Sequence, residues 1–481
     1  MNPSHFSSMT PSSNPTKTQE PSTSGSFRVS EIPSRSPFSV PSSSLTDFPS
    51  VSTSPSSDQL WKLVGDLKGN ANADFFGAAV ALSASGKTVI IGAPLDDESR
   101  KNAGSATVYT FADNSYQQLG NKIMLNEGKS GNQFGTSVAL SADGYTCIIG
   151  APFFKGSAGS NSGGARVFTL SVNEWVEKGA MIDGADKGDK FGISVDISED
   201  GDLVAVGSQL NDNINGDSAG HVRIFQYVQS DRFDGHWVQV GDPILGEGTS
   251  DSFGTALSMS GDGSTIAIGG PLTDIVYYEG HVRIFRLDSL NKWIQLGNSI
   301  DGTVKQGQFG GQVSLSQDGN IVGIGMANGG TYQAVQIFDF TNDNWTPLGN
   351  SIDGFYGVAL SNDGLTVAVS SSVGFGEVRI YKLNNGSWQQ TGESIKGDTN
   401  ISMFGQAVAI SGDGSIVASG APNQSRGEVE IYYNSNGSAD GWLRSGGRPY
   451  VPPSSSVGTK YLGRTWILQG IAVICTILIV V

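Results

Sequence analysis

Phe134-Gly135-Thr136-Ser137-Val138-Ala139-Leu140-Ser141-Ala142-Asp143-Gly144-Tyr145-Thr146-Cys147-Ile148-Ile149-Gly150-Ala151-Pro152 reads as two short strands and the turn between them. Ser137–Leu140 and Cys147–Ile149 are strand-length apolar runs, and Asp143-Gly144 between them supplies the pair that a tight hairpin uses for positive φ. The second run is apolar on both faces, as expected of a strand whose sheet is covered on both sides. The phenylalanine at the head of the segment is sized to fill the space between two such sheets. The glycine beside it lets two backbones approach without a Cβ in the way.

The segment recurs. Phe-Gly appears at Phe76, Phe134, Phe191, Phe253, Phe309 and Phe404, and Tyr356-Gly357 takes the same place in a further copy, which makes seven. The hairpin pair follows at Asp200-Gly201, Asp262-Gly263, Asp318-Gly319, Asp363-Gly364 and Asp413-Gly414, with Ser85-Gly86 in the first copy. Leu60 to Trp442 spans 383 residues, about 55 per copy, close to the ~40–50 of propeller blades and above the 20–34 of most solenoid repeats. Each copy holds about four strand-length runs, the content of one blade.

A strand of the type Trp-x-x-Leu-Gly occurs eight times, at Trp61, Tyr116, Trp175, Trp237, Trp293, Trp345, Trp388 and Trp442, against seven Phe-Gly positions. A ring has to hide its first and last edges. The surplus strand therefore predicts that one terminus completes a blade built mainly from the other.

These motifs resemble the FG-GAP repeats of the integrin α-chain N-terminal propeller, over residues 58–445. Gly-Ala-Pro is intact at Gly92, Gly150 and Gly420 and nearly so at Gly269, but has decayed at Gly207-Ser208-Gln209, Gly325-Met326-Ala327 and Ser370-Ser371-Ser372. The resemblance implies an all-β, seven-bladed β-propeller with roles in adhesion or protein contact; it transfers no ligand, because a fold does not fix a function. It also implies calcium in a long Asp/Asn-rich loop ahead of Gly-Ala-Pro. Here that loop is cut to Ser141–Cys147 with one carboxylate, Asp143, whereas calcium takes six or more oxygens. A propeller that needs no cofactor is expected, with Asn211-Asp212-Asn213-Ile214-Asn215-Gly216-Asp217 the one run of ligand-like alternation.

The flanks differ in kind. Residues 1–57 are rich in Ser, Thr and Pro and read as a disordered arm; they lack the features of a secretory signal. Residues 446–462 read as a linker, and 463–481 as an apolar C-terminal helix that spans or anchors to a membrane. Its charge-free part, Trp466–Val481, is 16 residues, about 24 Å of helix against a ~30 Å hydrocarbon core. Lys460 and Arg464 ahead of it suit a tail anchor with the propeller in the cytosol. Read instead as a lipid-attachment signal, the same tail puts the propeller outside. Asn-x-Ser/Thr triplets at Asn344, Asn385, Asn400, Asn423 and Asn436, candidate N-glycosylation acceptors, suit the second reading.

A formal net charge of −16 speaks against nucleic acid and anionic lipid as partners of the folded region. Two cysteines, Cys147 and Cys475, allow neither a disulfide scaffold nor a cysteine zinc site. Of the histidines His5, His221, His236 and His281, His221 and His281 occupy matching repeat positions and read as structural. No catalytic constellation or phosphate loop appears. The reading is a monomeric, non-enzymatic module whose loops meet a protein or glycan at a membrane. Its alternatives are a hydrolase with carboxylates converging on the central channel, Asp96, Asp97 and Glu98 among them, and a plain spacer.

Overall fold

A computed structural model describes residues 61–125, 130–229, 235–273, 278–326, 333–399 and 402–435. They form seven antiparallel sheets, each an inner-to-outer meander. The chain enters on β1 (Trp61–Lys68). Blade I is β2 (Ala79–Leu82), β3 (Thr88–Ala93), β4 (Ser105–Ala112) and β5 (Ser115–Gln118). Blade II is β6 (Ser137–Leu140), β7 (Thr146–Ala151), β8 (Gly164–Ser171) and β9 (Glu174–Glu177), with β10 (Ile182–Asp183) paired beside β8. Blade III is β11 (Ser194–Ile197), β12 (Leu203–Ser208), β13 (His221–Val228) and β14 (His236–Gln239), with β15 (Ile244–Leu245). Blade IV is β16 (Ala256–Met259), β17 (Thr265–Gly270), β18 (His281–Leu287) and β19 (Trp293–Gln295), with β20 (Ile300–Asp301). Blade V is β21 (Phe309–Leu315), β22 (Ile321–Met326), β23 (Ala334–Thr341) and β24 (Asn344–Pro347), with β25 (Ile352–Asp353). Blade VI is β26 (Gly357–Leu360), β27 (Thr366–Ser371), β28 (Glu377–Asn384) and β29 (Ser387–Gln390), with β30 (Ile395–Lys396). Blade VII is β31 (Ala407–Ile410), β32 (Ile416–Ala421) and β33 (Glu428–Asn434), and its fourth strand is β1.

The surplus strand is thus the N-terminal one: β1 pairs with β33 from Trp61↔Asn434 to Lys68↔Glu428. Trp442 lies outside the described residues. The five short extra strands go beyond the four per blade that the repeat leads one to expect; each pairs with the start of its blade's third strand.

The inner hairpins explain the Ser-x-Asp-Gly motif. The Gly144 N–H bonds Ser141 O at 2.9 Å, and Gly144 sits at φ 76°, so glycine alone of the Asp-Gly pair takes the left-handed conformation. Asp143 caps the turn, accepting the Ser141 hydroxyl at 2.6 Å and the Tyr145 N–H at 2.9 Å. The residue between Ser and Asp does something the sequence does not announce. Its N–H bonds the same residue of the next blade, from Ala84 to Ala142, Glu199, Gly261, Gln317, Asn362, Gly412 and back to Ala84, at 2.8–3.0 Å. Seven backbone hydrogen bonds close one end of the ring.

Between blades the motif residues pack as expected. Phe134, Phe191, Phe253, Phe309 and Phe404 are among the largest fully buried side chains. Phe191 shares a cluster with Ala165 and Val167 of blade II and Val195 and Val206 of blade III. All six residues of β3, β7, β17, β27 and β32 are buried, which accounts for runs without polar alternation. On the outer wall each of the six described tryptophans donates its indole N–H to the preceding blade: Trp175 to Leu119 O at 2.8 Å, Trp237 to Lys178 O at 2.7 Å, Trp293 to Val240 O at 3.0 Å, Trp345 to Leu296 O at 2.8 Å, Trp388 to Leu348 O at 2.7 Å and Trp61 to Thr391 O at 3.1 Å.

Candidate functional site

The meander sorts connections by face. First-to-second and third-to-fourth strand hairpins lie on the face of the hydrogen-bond ring, here called the lower face. Second-to-third strand loops and the crossings to the next blade lie on the upper face. The lower inner turns are short and alike, whereas the upper loops differ in length and content.

In blades I, III and IV an aspartate two residues before the motif phenylalanine ties the crossing to the upper loop. Its carbonyl accepts the N–H of Leu95, Leu210 or Leu272, from Asp74, Asp189 and Asp251, at 3.1, 3.4 and 3.4 Å. Asp189 also accepts the Asn211 side-chain amide at 2.9 Å, and Asp251 accepts the Thr273 hydroxyl. Burial raises the carboxyls of Asp74 and Asp189 above the usual range. These acids hold the loops from beneath.

The acidic run at the start of the first upper loop is also structural. Asp96 is buried, paired with Lys122, and accepts the Ser105 hydroxyl at 2.6 Å and the Glu98 N–H at 2.8 Å. Burial alone would raise its carboxyl; Lys122, Ser105 and the Glu98 N–H together hold it below the ordinary value. Asp97 accepts the Asn102 N–H at 2.6 Å, and Glu98 pairs with Lys122 at 2.7 Å. Asp96 is thus bonded to β4 and to the segment after β5, Glu98 to that segment, and Asp97 within the loop itself.

A carboxylate on an inner strand is Asp196, which the sequence reading missed. It lies on β11, accepts the N–H of Met259 on the next inner strand at 2.8 Å, and is pushed up to about 6, chiefly by burial. Ser258 and Ser314 repeat the contact, accepting the N–H of Leu315 at 3.1 Å and of Leu360 at 3.0 Å. The available signal was a charge in Ser-Val-Asp-Ile where the second copy has Ser-Val-Ala-Leu. Below it Gln317 donates to Glu199 at 2.7 Å across the channel mouth.

The ligand-like run of blade III uses its polar groups to hold its own loop and tie it to neighbouring segments. Asn213 and Gly216 exchange both backbone bonds at 3.1 Å, and the side-chain amides of Asn213 and Asn215 donate to Gly220 O at 2.8 Å and Gly246 O at 2.6 Å. Asp212 accepts the Ser218 N–H at 2.7 Å. Among the described residues no group of three or more His, Cys, Asp or Glu is arranged to hold a metal ion.

His221 and His281 are buried between blades, edge-on to Phe191 and Phe253 at 6.3 and 5.9 Å. Burial, reinforced by Arg223, depresses His221 to about 4. Neither is placed to exchange protons with solvent. Cys147 is buried in β7, and Cys475 lies outside the described residues.

Of the glycosylation triplets, Asn385 and Asn423 are exposed, on a lower hairpin and an upper loop. Asn344 is half-buried and its side-chain carbonyl accepts the Asn298 N–H at 3.2 Å. Asn400 and Asn436 lie outside the described residues, although Ser402 of the Asn400 triplet is buried. The proposed anchor, 463–481, lies outside them too; among the described residues no helix is long and apolar enough to cross a membrane.

Among their exposed polar residues the upper loops also display apolar side chains. Ile214 at the tip of the blade III loop is 92% exposed, Val373 and Phe375 in the blade VI loop 63% and 56%, and Tyr278 in the blade IV loop 37%. Lower hairpins expose apolar side chains as well, Val172 at 80% and Leu290 at 74%.

Fold and face together define a closed seven-bladed β-propeller of the kind used in adhesion and binding modules. The FG-GAP repeat profile matches residues 68–111, 119–168 and 181–225, and with seven blades the ring is consistent with a propeller like that of the integrin α chain. No curated protein matches it.

Proposed function

We propose that the chain is a non-catalytic binding or adhesion module that presents the upper loops to a protein or glycan at a membrane. The observation that carries the reading is the exposure of Ile214, Val373, Phe375 and Tyr278 on upper loops. The placement of the ends supports it. Trp61 and Asn434 are register partners at the lower end of blade VII, so the described part of the ring begins and ends at the lower face. A tether in 463–481 would therefore leave the upper face pointing away from the membrane.

The test is binding of the intact chain and of Ile214→Asp/Phe375→Asp to glycan arrays and to cell surfaces. Both side chains are exposed, so the melting temperature is expected to hold while binding falls at least tenfold. Undiminished binding by the double variant would defeat the reading.

A further inference from the structure

On the outer wall, neighbouring blades meet along a groove. One lip is the crossing that starts just beyond an outer strand; the other is the next blade's outer tryptophan with the residue before it. At three junctions an asparagine ties the lips together. Asn121 accepts the Trp175 N–H at 2.7 Å between blades I and II, Asn350 accepts the Trp388 N–H at 2.8 Å between V and VI, and Asn344 accepts the Asn298 N–H at 3.2 Å between IV and V. Between blades II and III the Lys178 ammonium lies over the rings of Tyr227 and Trp237 instead, 4.8 and 5.9 Å from their centres.

Between blades III and IV both tying positions are changed. Asp242 follows Gly241 as Asn121 follows Gly120 and Asn350 follows Gly349, and Lys292 precedes Trp293 as Asn344 precedes Trp345. Both are exposed, and among the described residues neither side chain has a hydrogen-bond or ion-pair partner. The groove is open here. It forms a cleft of about 330 Å³ with Pro243 and Leu245 on one side, half-buried Trp293 on the other, and the buried Arg283 and Phe285 lining it between them. The Arg283 guanidinium is already engaged: it donates to Leu245 O at 2.7 Å, pairs with Glu247 at 3.1 Å and lies over the Phe253 ring at 4.3 Å. What is left for a ligand is one carboxylate, one ammonium and an aromatic ring.

We propose that this cleft is a saccharide site, separate from the upper face. Its volume falls at the small end of the roughly 300–1,000 Å³ of small-molecule sites. The charges of Asp242 and Lys292 cancel, so a strongly charged ligand loses at one lip what it gains at the other. A neutral polyol uses both, donating a hydroxyl to Asp242 and accepting from Lys292. Trp293 supplies an apolar surface against which the C–H face of a sugar ring packs. None of these groups belongs to the upper loops, so the site stands or falls independently of the binding surface proposed there.

Saturation-transfer NMR titrations of the intact chain with free hexoses, N-acetylhexosamines and their disaccharides test the site. At least one neutral sugar is expected to bind at millimolar concentration. Asp242→Ala and Lys292→Ala are each expected to weaken that binding at least tenfold while the melting temperature holds, because both side chains are exposed and unpaired. Ile214→Asp/Phe375→Asp is expected to leave it unchanged. No binding across the panel, binding that survives both lip variants, or binding lost only with the upper-loop pair would overturn the cleft as a saccharide site.

Discussion

Gly420 of blade VII lies against Gly77 of blade I so closely that a Cβ on Gly420 would stand 2.0 Å from the Gly77 carbonyl oxygen. The same approach joins Gly92 to Gly135, Gly150 to Gly192, Gly207 to Gly254 and Gly269 to Gly310, at 1.9–2.3 Å. The glycine of Gly-Ala-Pro and the glycine of Phe-Gly are thus two halves of one contact between successive blades, and at Gly420–Gly77 that contact closes the ring.

Gly420→Ala places a methyl group against a backbone carbonyl that cannot rotate away. A loss of about 1–3 kcal/mol is expected, as for overpacking in a core. Denaturant unfolding measures it, and a loss below about 0.5 kcal/mol would mean that the blades part easily at this junction.

Phe134→Ala empties a fully buried site between blades I and II, where Phe134 packs with Ile90, Val108, Ile149 and Phe168. The expected cost is ~3–5 kcal/mol, read from the same unfolding curves.

Burial pushes the Asp196 carboxyl up to about 6, from an ordinary aspartate value of 3.8. The folded chain then holds a proton that the unfolded chain has lost, so this group's contribution to stability falls as pH rises from about 4 to about 6 and is level above. Asp196→Asn keeps an acceptor for the Met259 N–H and removes the titration. Its melting temperature relative to wild type is expected to be higher at pH 7.5 than at pH 4.5, and an equal difference at both would place Asp196 in contact with bulk water.

The hairpin aspartates are spent on their turns, as Asp143 is on Ser141 and Tyr145. Millimolar calcium added after a chelator is expected to leave the melting temperature of residues 58–445 unchanged within about 5 °C. A larger rise would report an ion bound to the folded state.

Much of the fold was legible because its contacts are made by residue types that little else can replace. Phe-Gly, Gly-Ala-Pro and Asp-Gly each mark a place where sterics leave one choice, so Phe134, Gly150 and Gly144 could be read in register. The closing strand was legible only as a surplus: Trp61 and Trp442 look alike, and the pairing of Lys68 with Glu428 sets the terminus that closes the ring. The hydrogen-bond ring was invisible because its atoms are backbone, which is why its seven positions run from glycine to glutamate. The loop tips were equally hidden. Ile214 sits inside a run that reads as cation ligands, and only the bonds of Asn213 and Asn215 show that the polar residues hold the loop while the apolar one is displayed.

Photo-crosslinking in the native cell tests the upper face most directly. A benzophenone amino acid is placed at Phe375 on an upper loop, and in a second chain at Val172, which is 80% exposed on a lower hairpin. The result expected is a discrete covalent adduct from position 375 that is lost when Ile214→Asp is added, with none from position 172. Adducts from position 172 alone would contradict the upper face as the binding surface.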